Sequence, residues 1–165
     1  MEVRNDWAFR SQLTSPSSPI IMDDKYYMRE AVKEAVKAFD AGEIPVGAVI
    51  VANGRIIARG HNLTERLNDV TAHAEMMSIT SAANALGGKY LHDCKVYITL
   101  EPCSMCAGAL YWAQPSEIIY AASDEKSGFT TTGGRLHPKT KVKNGLMADE
   151  AADLLRMFFA RRRSP

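Results

Sequence analysis

Cysteine is scarce in this chain, and its arrangement excludes a disulfide framework. The three cysteines are an odd count, and two of them, Cys103 and Cys106, stand only three positions apart. That pattern suits a metal site in a reducing compartment better than the staples of a small secreted domain. Long apolar runs are lacking as well: nothing approaches the roughly 18 residues that span a bilayer. Residues 1–21 hold no continuous apolar segment of the kind found in secretory signals. These absences lead to the expectation of a cytoplasmic protein with no membrane partner. Net charge is close to zero, at +1, so the chain average points to no partner. The distribution is less even. From Lys126 onward there are nine Lys and Arg against three Asp and Glu, a local +6 that leaves −5 for the rest. A basic C-terminal part can attract a polyanion. A solvated helix end with loop lysines accounts for the same charge.

What is present is ordinary for one globular domain: 165 residues, 46% hydrophobic and 24% charged. Residues 1–21, with Ser15-Pro16-Ser17-Ser18-Pro19, read as an unstructured leader, and Met22 as the functional start. Residues 22–163 are the expected domain. Asp23-Asp24 can cap a helix to about Phe39, stopped near Gly42. Val46 to Val51 is β-branched and short, a buried strand, and Asn53-Gly54 turns the chain back through Arg55 to Arg59. Gly60 to Val70 reads as a loop. Thr71 can cap a helix from about Ala72 to Ala85. Lys95 to Leu100 is a third strand, Pro102 opens a helix ending before Pro115, and Glu117 to Ala121 is a fourth strand. Residues 122–147 read as a long loop. Asp149 to Arg163 is a last helix with an apolar stripe of Leu154, Leu155, Met157, Phe158 and Phe159. The order implies a mixed sheet with helices on its faces.

His73, Cys103 and Cys106 are ligand types that zinc prefers, and a catalytic zinc keeps three protein ligands and an open position. Both ligand-bearing pieces fall in the first turn of expected helices, where unpaired amides favour thiolate over thiol. Two thiolates and a neutral imidazole balance a dication. Glu75, two residues after the histidine, can take a proton from water and pass it on. Taken singly, His-x-Glu is background and Cys-x-x-Cys fits structural zinc or a redox pair. The conjunction is what points to a catalytic ion. Cys94 reads as a buried free thiol.

The pattern His73-Ala74-Glu75 with Pro102-Cys103-Ser104-Met105-Cys106 resembles that of the zinc-dependent nucleobase deaminases, whose general mechanism is known. From Met22 to Arg163 the chain is similar to the bacterial tRNA-specific adenosine deaminases. The matching segments include Glu43 to Val49, Gly60-His61-Asn62, Thr71 to Glu75, Leu100 to Ala109, Asp124 to Gly128, Gly145 to Glu150 and Phe158-Phe159. The resemblance implies one Zn2+ per subunit on His73, Cys103 and Cys106, with Glu75 as acid and base. It implies substrate contacts from Asn62, Pro45, Val46 and Asp124. It further implies a three-layer α/β/α fold around a five-stranded mixed sheet, a homodimer, and a tRNA anticodon stem-loop as partner. Phe129 to Lys143 departs from the family pattern, while Tyr111-Trp112-Ala113 and Tyr120-Ala121-Ala122 are similar to guanine deaminases. A free base or nucleotide, or a zinc-stabilised RNA-binding module, are the alternatives. Asn62 fits a turn and Asp124 a loop cap equally well. Phe158 and Phe159 read as core, and Arg161 to Arg163 as either phosphate contacts or a solvated end.

Overall fold

In the structure, a computed structural model, residues 21–164 are described. The leader reading, apart from Ile21, falls outside the described residues. Helix α1 spans Asp24–Asp40, and the Asp23 carboxylate caps it by accepting from the Tyr26 amide at 2.9 Å. Strands β1 (Gly47–Ala52) and β2 (Arg55–His61) form an antiparallel hairpin. Asn53 and Gly54 join them with φ of 50° and 73°, the left-handed pair that a tight hairpin turn demands. There follow α2 (Thr64–Leu67), α3 (Ala74–Leu86), β3 (Cys94–Leu100), α4 (Ser104–Ala113), β4 (Glu117–Ala122), α5 (Phe129–Thr132), β5 (Lys141–Asn144) and α6 (Ala148–Arg163).

The sheet runs β2-β1-β3-β4-β5. β1 is antiparallel to both β2 and β3, while β3, β4 and β5 are parallel. Side chains alternate across each strand, so each buries two sets of residues. Ala48, Ile50, Val96, Ile98, Ile118 and Tyr120 meet α3 and α4 through Ala74, Ala82, Ala107 and Leu110. Val49, Val51, Tyr97, Ile119 and Ala121 meet α1 and α6 through Tyr27, Met28, Ala31 and Ala151. The result is three layers with five strands in the middle. One contact in it is especially close: a Cβ at Gly47 would lie 2.1 Å from the Ala31 carbonyl oxygen. Only glycine lets α1 pack against the start of β1.

Three parts differ from the sequence-based expectation. The Gly60 to Val70 segment is not a plain loop. β2 continues to His61, and α2 forms because the buried Glu43 carboxylate accepts from the amides of Glu65 at 3.1 Å and Arg66 at 2.8 Å. α3 begins at Ala74, not Ala72, because the Thr71 hydroxyl bonds to Asp69 rather than to the helix. The 122–147 segment contains α5 and β5. All four residues of β5 are exposed, so it carries no apolar signal; it exists through its ladder with β4. The α6 stripe is also narrower than expected: Leu154 and Phe158 are buried, while Met157 and Phe159 are 38% and 42% exposed.

Several carboxylates are held on the buried side of this architecture. Burial works against the charge of Glu43, but the Arg66 and Glu65 amides and the Thr64 hydroxyl outweigh it and hold the acid below its usual range. Burial of Glu34 is likewise outweighed by His61 and Lys37, and that of Glu117 by Lys143 and Lys95. A folded-state pKa below the unfolded value contributes stability above the ordinary carboxylate range. That stability is lost as pH falls through the depressed folded values. Unfolding followed by circular dichroism should therefore show the contribution of these three carboxylates falling away below about pH 4. Glu43→Gln should flatten part of that acid limb.

Candidate zinc site and substrate cavity

The site forms where two chain segments leave the same end of the sheet. β3 ends at Leu100, and Glu101-Pro102 lead into Cys103, which stands at the N-cap of α4. On the neighbouring segment His73 stands at the N-cap of α3. Neither side chain caps its own helix, so both are free to turn toward each other. The His73 Nδ1 lies 3.6 Å from the Cys103 Sγ and 3.5 Å from the Cys106 Sγ. Among the described residues this is the one cluster of three such donors within 4.8 Å of one another.

The donor set itself fits zinc. With protons as their only shared charge, the three groups polarise one another. The Cys106 thiol and His73 pull Cys103 down to about 3, and Cys103 together with burial pushes Cys106 upward. Cys103 also raises His73 above its ordinary value against the effect of burial. Two sulfurs and an imidazole crowded this way compete for protons that a dication would replace. The Val70 backbone contributes to the same upward shift of His73.

Glu75 is 3% exposed in the first turn of α3. Burial pushes its carboxyl up to about 7, and its neighbours include Cys106, Cys103 and His73. A dication on those donors would oppose that shift. Above the cluster opens a cavity of about 760 Å³, lined among others by Val46, Asn62, His73, Glu75, Cys103 and Asp124. Its size suits one nucleoside.

The expected substrate residues are placed unequally. Val46, Asn62 and Asp124 line the cavity. Pro45 does not; it is buried, and its neighbour Ile44 takes the place on the wall. Pro45 is the central residue of a tight turn in which the Val46 amide donates to the Ile44 carbonyl at 2.8 Å, which leaves its two neighbours on the wall. Asn62 is buried, and its Oδ1 accepts from the Ala74 amide at 2.8 Å. It therefore caps α3 from outside the helix. The Asp124 carboxylate accepts from the amides of Lys126 at 3.1 Å and Ser127 at 2.9 Å, so it also shapes its own loop. Phe159, expected in the core, lines the cavity with Leu155, while Phe158 beside it packs on Phe39. Of the terminal arginines, Arg161 lies over the Phe39 ring at 4.6 Å. Arg162 lies over Phe158 at 4.8 Å and donates to the Gly42 carbonyl at 3.1 Å. Those two staple α6 to α1. Glu101, buried on the cavity wall, and Glu43, buried next to the wall residue Ile44, are not singled out by composition or spacing.

Among the described residues no helix is long and apolar enough to cross a membrane. Residues 21–122 match the cytidine and deoxycytidylate deaminase zinc-binding region. The chain is 43% identical over 142 residues to the tRNA-specific adenosine deaminase of Bacillus subtilis, covering 82% of this chain and 88% of that one. It is 43% identical to the enzyme of the same name from Agrobacterium fabrum, covering 84% and 95%. A solved structure from a study of A-to-I editing by tRNA:A34 deaminases superposes with a TM-score of 0.72 at 41% identity, over 79% of this chain and 99% of the other. A guanine deaminase from Bacillus subtilis superposes with a TM-score of 0.59 at 42% identity, over 67% and 68%. With a family model spanning most of the fold and relatives matched nearly end to end, this chain belongs to the zinc-dependent cytidine and deoxycytidylate deaminase family, in its tRNA-specific adenosine deaminase branch.

Proposed function

We propose that this protein hydrolyses adenosine to inosine at the wobble position of a tRNA anticodon, working as a cytoplasmic homodimer with one zinc per subunit. The observation that carries this reading is the convergence of His73, Cys103 and Cys106 at a nucleoside-sized cavity that also holds a buried carboxyl, Glu75. His73, Cys103 and Cys106 would hold the ion, which would supply a Lewis acid able to activate water at neutral pH. Glu75 takes a proton from the attacking water and delivers it to the purine ring nitrogen beside C6. It then takes the second water proton from the hydroxyl now on C6 and passes it to the amine, so that the C6–N bond breaks, water's oxygen stays on C6 as a carbonyl and ammonia leaves. Val46 and Ile44 offer apolar surface to the flat base, and Leu155 with Phe159 closes another side. Asn62 spends its carbonyl on the helix and keeps its amide group for the ligand. Glu75 is only 3% exposed, which limits its contact with bulk water.

The outer face of α4 supports the dimer. Met105 is 36% exposed and Trp112 is 72% exposed, and between them Gly108 has open space around its Cα. A large bare indole one helical face from the ligand-bearing N-terminus fits a second copy of the chain. Light scattering should give a dimer, and Trp112→Glu should shift it toward monomer.

Zinc analysis should find one ion per chain, retained in Glu75→Gln and lost in His73→Ala and Cys106→Ala. A chelated protein should keep its far-ultraviolet dichroism, since the two apolar layers do not include the ion. Zinc-loaded protein should convert an anticodon hairpin bearing wobble adenosine to the inosine product, at a rate that falls steeply with salt. Glu75→Gln should lower kcat about a hundredfold or more. Turnover of guanine with an inert hairpin would overturn the RNA assignment.

A further inference from the structure

Glu101 is 3% exposed and sits between the end of β3 and the ligand Cys103. It borders the cavity, yet its hydrogen bonds run to the segment after β4. One oxygen accepts from the Asp124 amide at 2.8 Å. The other accepts from the Thr130 amide at 3.1 Å and the Thr130 hydroxyl at 2.5 Å. The same two segments also meet in one backbone junction. The Phe129 amide donates to the Pro102 carbonyl at 2.9 Å, and Cys103 pairs with Gly128 in an isolated antiparallel bridge. Gly128 leaves no space between them: a Cβ there would lie 2.3 Å from the Glu101 carboxyl carbon and 2.5 Å from the Asp124 carbonyl. Residues Ser123 to Ser127 of the tethered segment form one wall of the cavity.

Resting on the deaminase reading above, we propose that Glu101 is a positioning residue: it fixes the Ser123–Ser127 wall against the strand-to-helix corner that presents Cys103, and so sets how the nucleoside is held over the metal site. A carboxylate is needed because its two oxygens accept from three donors on two sides. A carboxamide in its place would aim an NH2 group at an amide N–H, and one of the two tethers would open. The wall carries Asp124 and Lys126, which face the ligand space, so a loosened wall is felt first in substrate binding and orientation.

The test uses the full chain with zinc, in a Glu75→Gln background that binds without turning over. Hairpin affinity is measured for this parent and after adding Glu101→Gln or Thr130→Val, alongside amide hydrogen exchange, zinc content and thermal unfolding. In the Glu75-containing chain, KM and kcat are measured for the same two substitutions. Glu101→Gln should weaken hairpin binding and raise KM about tenfold or more. Its effect on kcat should be smaller, and exchange should quicken in residues 123–130. Thr130→Val, which removes only the hydroxyl, should move the same readouts in the same direction by less, with zinc content unchanged. If Glu101→Gln does not fold, Thr130→Val decides. Parent-like affinity and KM in the folded variants, with only a lower unfolding temperature, would reduce Glu101 to a prop of the fold and overturn the proposal. A parent that fails to bind the hairpin at all would instead overturn the function on which it rests.

Discussion

Everything at the site depends on two helix N-termini meeting at one end of the sheet. α3 and α4 both begin there, and each places a metal-ligand side chain at the boundary where helix meets loop. A helix start carries unpaired amides and partial positive charge, which favour thiolate sulfur. It also leaves the boundary residue free of helical geometry, so His73 and Cys103 can turn toward each other while Cys106 rises from within the first turn. Chemistry and architecture therefore impose the same requirement: the sheet must hold both helix starts within a few ångströms. The alanine-rich contact of Ala74, Ala82 and Ala107 with β1 and β3 does this, because small side chains let the helices sit close. Gly60 adds to it, with no space for a Cβ beside the Ala74 carbonyl.

The loops around the cavity are held by buried acids rather than by apolar packing. Glu43 closes one side by gathering the amides of α2, and Glu101 closes the other by gathering Asp124 and Thr130. Hydrogen bonds to a charged group contribute about 1.5–3 kcal/mol each, and each of these acids accepts three, which holds both below the usual carboxylate range despite their burial. An apolar residue of the same size would fill the space but leave several amides unsatisfied. Loops pinned this way keep a polar inner surface while staying in register, which suits a cavity that must receive a sugar and a base.

The strands and helices with strong periodicity were legible in the sequence. The Asn53-Gly54 turn, the Asp23 cap and the β-branched runs each have a local cause that works without tertiary help. β5 and α2 were not legible for the opposite reason. Lys-Val-Lys-Asn has no buried face, and Thr64–Leu67 is a helix only because Glu43, far along the chain, supplies its cap. The same division holds at the site. His73, Cys103, Cys106 and Glu75 are close in sequence in pairs, and spacing alone brings each pair to a helix start. Leu155 and Phe159 enter the cavity through how α6 lies on α1, and periodicity alone makes Phe159 look like core. Pro45 was misplaced because a segment before a strand gives no sign of which neighbour faces inward.

These helix starts would build a single-ion site from one imidazole and two sulfurs, with the Glu75 carboxyl beside it and not bound. A crystal structure of the zinc-loaded protein with anomalous data across the zinc edge tests this most directly. One anomalous peak per chain is expected, bonded to the His73 Nδ1 and to the Sγ atoms of Cys103 and Cys106, with Glu75 outside bonding distance. A peak elsewhere, or one that recruits Cys94 or Glu75 as a protein ligand, would contradict it.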